Sequence, residues 1–373
     1  MLKLSDFLAD LMQGQIGVTI AGSHGKTTTT ALMAYTLNRL GLDPSYIIGG
    51  VSKDLFGNAH AGEGIYFVVE ADEYDRMFLG LKPQVIIITN VEYDHPDCYP
   101  TPADYRQAFA DFAKLLNPSG LLVTSADDSN AAALVNFIPS HAKAITYGLS
   151  DASDYQAINL RTNALGGFDF DVALGKDSSK HLLVHVSLKI PGEHNVLNAL
   201  AVMATVHALG LSIEQAARNL SKFSGTGRRF EVVGEEAGIT VIDDYAHHPS
   251  KIHATLSAAR NRYPGRRLVA VWQPHTYSRT RALAADFIQS LREADFTLVT
   301  EVYAAREPVE VFSSAELVAK MKAKETVFCK TLDDAVKTLE TTLRSGDVLL
   351  VLSAGDADQI CKRILQSLKE RKG

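Results

Sequence analysis

The stretch GSHGKTTTT (22–30) places two glycines, a lysine and a threonine between an apolar run, GVTIA (17–21), and a helix-forming run. Gly22 and Gly25 let successive backbone N–H groups curl around an anion at a helix N-terminus. Lys26 has the reach to touch the outer phosphates of a nucleotide, and the Thr27 hydroxyl is a hard oxygen of the kind Mg²⁺ takes. The general phosphate-loop pattern G-x-x-x-x-G-K-S/T asks for glycine at position 20, where this chain has Ile20. The spacing departs by one residue, while the strand, glycine turn, lysine and helix remain. Thr28, Thr29 and Thr30 read as helix surface and core.

Two further strand ends carry ligands of matching hardness. VVEADEYD puts Glu70 at a strand terminus, followed by Asp72, Glu73 and Asp75; NVEYDHPD puts Asp94, His95 and Asp97 beyond another. Either cluster alone reads as readily as a solvated acidic loop. With the phosphate loop they imply a metal–nucleotide site, since Mg²⁺ combines one or two carboxylates with phosphate oxygens and water.

The elements that must position these residues alternate. Strand-like runs at 17–21, 66–70, 85–91 and 120–124 interleave with helices at about 26–40 and 102–116, which predicts a mostly parallel α/β sheet. Residues 153–190 read instead as hairpin strands, FDFDVAL and LLVHVSLKI, before a helix over 194–210. Beyond SGTGRRF a second alternation begins. It has strands at 240–244, 267–273, 296–302 and 347–355, and helices from Pro249, over about 279–293, over about 313–322 and at the end. The domain boundary therefore falls near 223–231, giving domains 1–224 and 225–373. Ligands of open parallel sheets bind at the carboxyl ends of strands, where the residues above lie. Without further context Asn195 and Asn198 belong to an amphipathic core helix, Arg228 and Arg229 to a solvated linker, His247 and His248 to a helix cap or surface, and Ser278 to an N-cap.

Composition excludes several classes. At 373 residues, 46% hydrophobic and 21% charged, the chain has material for two packed domains. A formal charge of −6 supplies no basic field, so neither nucleic acid nor anionic membrane is the expected partner. Cys98, Cys329 and Cys361 are widely separated and form no CxxC pair, which disfavours a disulfide framework and a structural zinc site and fits a reducing cytoplasm. The N-terminus lacks the pattern of a secretory signal, and no run reaches membrane-spanning length.

At GSHGKTTTT, EADEYD, NVEYDHPD, PGEHNVLNALA, GRRFE, DDYAHHP and QPHTYSRT, in order over essentially the whole chain, the sequence resembles the Mur ligases, most nearly their alanine-adding branch. That family has the same shortened glycine spacing. The resemblance implies a central P-loop ATPase domain with a mostly parallel sheet plus a small antiparallel sheet, followed by a Rossmann-like C-terminal α/β domain. It also implies an ATP- and Mg²⁺-dependent ligase that joins UDP-N-acetylmuramate to L-alanine through an acyl phosphate in peptidoglycan precursor synthesis.

By position, Gly22, Ser23, His24, Gly25, Lys26, Thr27 and Thr28 would hold the phosphates, and His194, Asn195 and Asn198 would face the nucleoside. Thr27, Glu70 and His95 would hold metal. Lys26, Glu70, His95, Arg229 and Asp244 would be catalytic, with Arg229 reaching the γ-phosphate and Asp244 near the nucleotide, so that both would also bind ATP. Asp72, Glu73, Tyr245, His247, His275 and Arg279 would bind substrate, Arg279 through the free carboxylate of the amino acid. Lys251 and Thr276 depart from the common pattern. Phe109 stands about where other branches carry a modified lysine, in agreement with the alanine-adding branch.

Family members place about a hundred residues with a UDP-binding domain ahead of the phosphate loop, a domain this sequence is expected to lack. Two alternatives follow: a ligase that attaches a recycled tripeptide to the same UDP-sugar, and a nucleotide-binding module that no longer ligates.

Overall fold

The computed structural model describes residues 4–176, 180–321 and 325–370. They form two compact units, Met1–Gly227 and Arg228–Gly373. Among the described residues no helix is long and apolar enough to cross a membrane.

The first unit is built on ten strands: β1 (Ile16–Ala21), β2 (Ser45–Ser52), β3 (Gly57–His60), β4 (Tyr66–Glu70), β5 (Val85–Ile88), β6 (Leu121–Ser125), β7 (Lys143–Gly148), β8 (Tyr155–Thr162), β9 (Phe168–Leu174) and β10 (His181–Ser187). They make one sheet in the order β10-β9-β8-β7-β6-β5-β1-β4-β2-β3. Pairing is parallel from β2 through β8 and antiparallel at both edges, so the hairpin strands expected for 153–190 extend the main sheet. The VIIITNV run is strand only to Ile88; Thr89 and Asn90 have left the ladder.

Side chains of the central strands alternate between two cores, as the two-residue repeat of a strand requires. Val18, Ile20, Val85 and Ile87 pack beneath helices Lys26–Arg39 and Glu193–Ala208, while Ile86, Ile88 and Val69 pack against helix Pro102–Lys114. Helix Lys26–Arg39 is buried from Thr27 to Leu37, so Thr28 to Thr30 are all interior. Thr30 Oγ1 answers its burial by donating to the Lys26 carbonyl at 2.8 Å. Helix Pro102–Lys114 starts at a capping box in which Thr101 and Asp104 satisfy each other's amides, with Pro102 at the first helical position. Its Phe109 and Phe112 pack on Phe78 at 5.3 and 4.5 Å between ring centroids, so position 109 belongs to an aromatic core.

The second unit has six strands: β11 (Glu231–Glu236), β12 (Ile239–Asp244), β13 (Leu268–Trp272), β14 (Phe296–Thr300), β15 (Glu325–Cys329) and β16 (Val348–Leu352). Their order is β11-β12-β16-β13-β14-β15, and only β11 runs antiparallel. Helices Pro249–Arg262 and Ala284–Ser290 cover one face, and Leu332–Thr342 and Gln359–Glu370 the other. Arg266 ties loops at the amino ends of these strands, donating to the carbonyls of Gly346 and Asp347 at 2.7 Å each and to Thr240 Oγ1 at 3.0 Å.

Two helices differ from the sequence reading. The one expected over 279–293 is two, Tyr277–Ala282 and Ala284–Ser290, broken at Leu283 (φ −112°, ψ 21°). The one expected over 313–322 is only Ala315–Val318. Its entry is pinned by Glu301, which accepts from Ser313 Oγ at 2.8 Å and the Ser314 amide at 3.0 Å.

Candidate functional site

Register decides where the first unit concentrates its chemistry. β1 lies between β4 and β5, with Ile20 beside Glu70 and Ala21 beside Ile88. The glycine turn after β1 therefore emerges between the EADEYD and NVEYDHPD loops, and three stretches separated by tens of residues meet at one sheet edge.

Gly22 has φ 138°, and a Cβ there would stand 2.0 Å from Thr89 Oγ1; Gly25 has φ 82°, and its Cβ would stand 2.6 Å from Asn198 Oδ1. Both the backbone angle and the close neighbours demand glycine. The turn is fastened to the chain after β5. Asn90 accepts the Ser23 amide on its carbonyl (3.1 Å) and the His24 amide on Oδ1 (2.9 Å), and Thr89 Oγ1 donates to the His24 carbonyl (2.5 Å). Ser23 Oγ donates to the Glu92 carbonyl at 2.6 Å and lies 2.8 Å from Tyr105 OH, while His24 Nε2 lies 2.5 Å from Glu92 Oε2. No side chain caps helix Lys26–Arg39, whose N-cap is Gly25. A helix N-terminus held this way is suited to an anion.

The Lys26 ammonium donates to the Gly22 carbonyl at 2.6 Å and to both Glu73 oxygens at 2.8 and 2.6 Å. Glu73 is fully buried. Burial by itself opposes its ionised form, yet Lys26 and the His95 imidazole, 3.5 Å away, outweigh it and hold its pKa at about 2. For Lys26, burial likewise disfavours the charge, and Glu73 with Asp72 and Glu70 carries its pKa above the ordinary lysine value. Tyr99 OH donates to the Glu73 main-chain carbonyl, and Tyr105 OH stands 3.4 Å from Glu73 Oε1.

Thr27 Oγ1 donates to Glu70 Oε1 at 3.0 Å, and the Gly49 amide donates to Glu70 Oε2 at 2.7 Å, so two of the three expected metal ligands touch. The third, His95, has φ 57° and lies against Glu73. Asp72 is exposed and accepts the Tyr74 amide. Asn195 donates to the Pro191 carbonyl (2.7 Å) and accepts from Asn198 (3.0 Å), which carries Asn198 to Gly25; His194 is exposed in the first turn of the same helix. The sequence reading passed over Thr89, Asn90, Tyr99 and Tyr105. Asn90 opens a stretch that was read only for its acids and imidazole.

In the second unit the carboxyl end of β12 is the focus. Both Asp244 oxygens accept backbone amides, Oδ2 from Phe230 (2.7 Å) and Oδ1 from Ala246 (2.8 Å). Burial raises its pKa against the pull of Arg229 and these amides. The two arginines of GRRFE lie in a turn, with Arg228 at φ 55°, and both guanidiniums reach the Tyr245 ring, that of Arg228 5.2 Å from its centroid. Arg228 binds Asp243 Oδ2 (3.1 Å) and the Ser353 carbonyl (2.7 Å), while the Arg229 guanidinium lies 4.6 Å from the centroid of the Tyr245 ring.

Tyr245, His247, His275 and Arg279 converge. His247 lies 5.1 Å from Tyr245 and 5.8 Å from His275 between ring centroids, and Arg279 Nη1 is 3.2 Å from His275 Nδ1. Arg279 is only 2% exposed, so it is a cation held inside the protein. His247 Nδ1 is 2.7 Å from the Tyr245 carbonyl and therefore carries its hydrogen there. Its Nε2 lies 3.4 Å from Lys251 Nζ, which brings that departure from the family pattern into the cluster. Ser278 is not the N-cap; Thr276, at φ 65°, holds that place, and Ser278 in the first turn donates its amide to Glu307 at 3.2 Å.

Asp243 supplies a test of these electrostatics. Its Oδ1 is buried without a hydrogen-bond partner, and burial, with Asp358 nearby and Arg228 opposing, pushes its pKa up to about 6 from 3.8. The folded state thus holds a proton the unfolded chain has released, and the associated stability is present below about pH 4 and lost as pH rises through about 6. Asp243→Asn is expected to raise the melting temperature over the wild type at pH 7.5 and to leave it unchanged at pH 4. Differential scanning calorimetry across that range checks it, and an equal shift at both values would refute the assignment.

Comparison with known proteins places both halves. Residues 20–206 match the family model for the Mur ligase middle domain, and residues 228–355 match that for the Mur ligase, glutamate ligase domain. The chain is 40% identical over 360 residues to UDP-N-acetylmuramate--L-alanine ligase of Caldanaerobacter subterraneus, covering 95% of this chain and 76% of the relative. It is 42% identical over 375 residues to the protein of that name from Kineococcus radiotolerans, covering 99% and 78%. Among solved structures, the UDP-N-acetylmuramate-alanine ligase of Thermotoga maritima superposes with a TM-score of 0.81 at 29% identity, over 98% of this chain and 78% of that one. A murein peptide ligase from Psychrobacter arcticus superposes with a TM-score of 0.71 at 26% identity, over 98% and 80%.

Proposed function

The chain belongs to the Mur ligase family, and from that premise we propose that it forms the amide between the carboxylate of UDP-N-acetylmuramate and the amine of L-alanine at the expense of ATP. The observation that carries this reading is the meeting of Lys26, Thr27 and Glu70 where β1 and β4 end side by side. A carboxylate attacking a phosphorus atom brings two anions together, so the site needs cations and donors placed before the reaction. Lys26 and the uncapped N-terminus of helix Lys26–Arg39 fill that need on the phosphate side.

Attack by the sugar carboxylate on the γ-phosphorus breaks its bond to ADP and leaves an acyl phosphate. The alanine amine then displaces inorganic phosphate, giving up a proton as the amide forms. His247 and His275 are the bases this reading offers for that proton, and Arg279 is the partner for the alanine carboxylate. Arg229 is the cation the second unit offers to a phosphate. Asn198, which lies against Gly25 and is held by Asn195, forms with Asn195 the pair this reading turns toward the nucleoside. Thr27 and Glu70 are adjoining hard oxygen donors and fit Mg²⁺, with His95 proposed as a further ligand; a bound ion would neutralise charge on the phosphate oxygens. In this reading the first unit is the ATP-binding domain, the second receives the amino acid, and the enzyme works in the cytoplasm.

Phosphate release with ATP, Mg²⁺, UDP-N-acetylmuramate and L-alanine tests it. Release is expected only with all four present. Turnover with the tripeptide but not alanine would assign the recycling reaction, and ATP binding without amine-dependent turnover would assign a non-ligating module.

A further inference from the structure

We propose that Glu73 is a latch on the phosphate loop, a positioning residue that competes with phosphate for Lys26 and must release it for a triphosphate to enter. The proposal rests on the nucleotide reading of that loop. An ammonium has three N–H donors. Those of Lys26 reach Gly22 O and the two oxygens of Glu73, which leaves an incoming phosphate oxygen only exchange. Gly22 belongs to the turn itself, so the exchangeable partner is the carboxylate.

Glu73 is not a solvated acid that has drifted against a lysine. It is 0% exposed, its main-chain carbonyl is fixed by Tyr99 OH, and Tyr105 OH and His95 Nε2 lie within 3.5 Å of its Oε1. The chain beyond it is bent through two left-handed residues, Asp75 (φ 50°) and Arg76 (φ 54°), a conformation that non-glycine residues hold only where their surroundings require it. The Asp75 amide is taken up by Cys98 Sγ at 3.3 Å. A strained turn thus presents one buried carboxylate to the lysine that the phosphates need.

The sign of the effect separates this role from a structural one. A carboxylate that only braced Lys26 would help nucleotide binding, so its removal would weaken affinity. A latch competes with phosphate for the same donors, so its removal strengthens affinity even where the fold is loosened. Glu73→Gln keeps the shape and removes the charge; Tyr99→Phe keeps the charge and removes the anchor of its backbone.

Titration calorimetry with ADP lacking Mg²⁺, and with a non-hydrolysable ATP analogue plus Mg²⁺, is expected to show Glu73→Gln binding both about tenfold more tightly than the wild type. Tyr99→Phe is expected to bind about two- to threefold more tightly, in the same direction. Unchanged or weaker binding of ADP by both variants would overturn the latch. Loss of affinity confined to the Mg²⁺-containing titration would also overturn it, by making Glu73 a metal ligand. Absence of nucleotide binding by the wild type itself would instead remove the reading on which the latch depends.

Discussion

Lys26→Met is expected to lower amine-dependent phosphate release by about a thousandfold or more, the scale on which removing a preorganised charge from a transition state acts. The substitution also leaves Glu73 buried without its counter-charge, and orphaning one member of a buried pair destabilises a protein by about 3–5 kcal/mol. A dead single variant therefore proves little by itself. The double variant Lys26→Met with Glu73→Gln removes both charges and is expected to recover most of the lost melting temperature while staying as inactive as the single. Turnover within tenfold of the wild type in the folded double variant would show that the lysine does not carry the phosphoryl charge. The pair also separates the two parts played at this spot, since Glu73→Gln alone keeps the cation.

The phosphate loop was legible because its signal is local: an apolar run, two glycines, a lysine and a helix stand within fourteen residues. The EADEYD and NVEYDHPD loops join it by the hardness of their ligands, but that the turn sits between them follows only from the order β5-β1-β4, a property of the assembled sheet. Glu70 and Glu73 show the limit most clearly. Three residues apart in an acidic stretch, they read alike, one as a metal ligand and the other as a substrate contact. In the structure Glu70 ends a strand beside Thr27, whereas a turn through left-handed residues carries Glu73 inward to Lys26. Buried acids are rare unless paired, so a sequence reading places such a residue outside by default.

The second unit shows the same division. TVIDD and RLVAVWQ announced their strands by apolar content, and the convergence of Tyr245, His247, His275 and Arg279 was implied by resemblance and then found in the geometry. The break at Leu283 and the hold of Glu307 on the first-turn amides of the preceding helix were invisible, since a residue 29 positions beyond Ser278 supplies the acceptor. Short or half-exposed strands such as β7, β8 and β15 were likewise unread, because their mixed burial leaves no sustained period.

Arg279 is the residue through which the second unit's assignment can fail most plainly. A guanidinium only 2% exposed, with Nη1 3.2 Å from His275 Nδ1, is a desolvated fork of donors whose geometry suits a carboxylate. Arg279→Met is expected to raise the KM for L-alanine by about a hundredfold or more, as loss of one partner from a desolvated charge pair does, while leaving the affinity for ATP within about twofold. Arg279→Lys keeps the charge but not the planar fork, and is expected to fall between the two. Melting temperatures close to the wild type would show that the fold of the variant survives. If the KM for alanine stays put in a folded Arg279→Met variant while kcat falls, the arginine orders the histidine cluster and the amino-acid carboxylate is bound elsewhere.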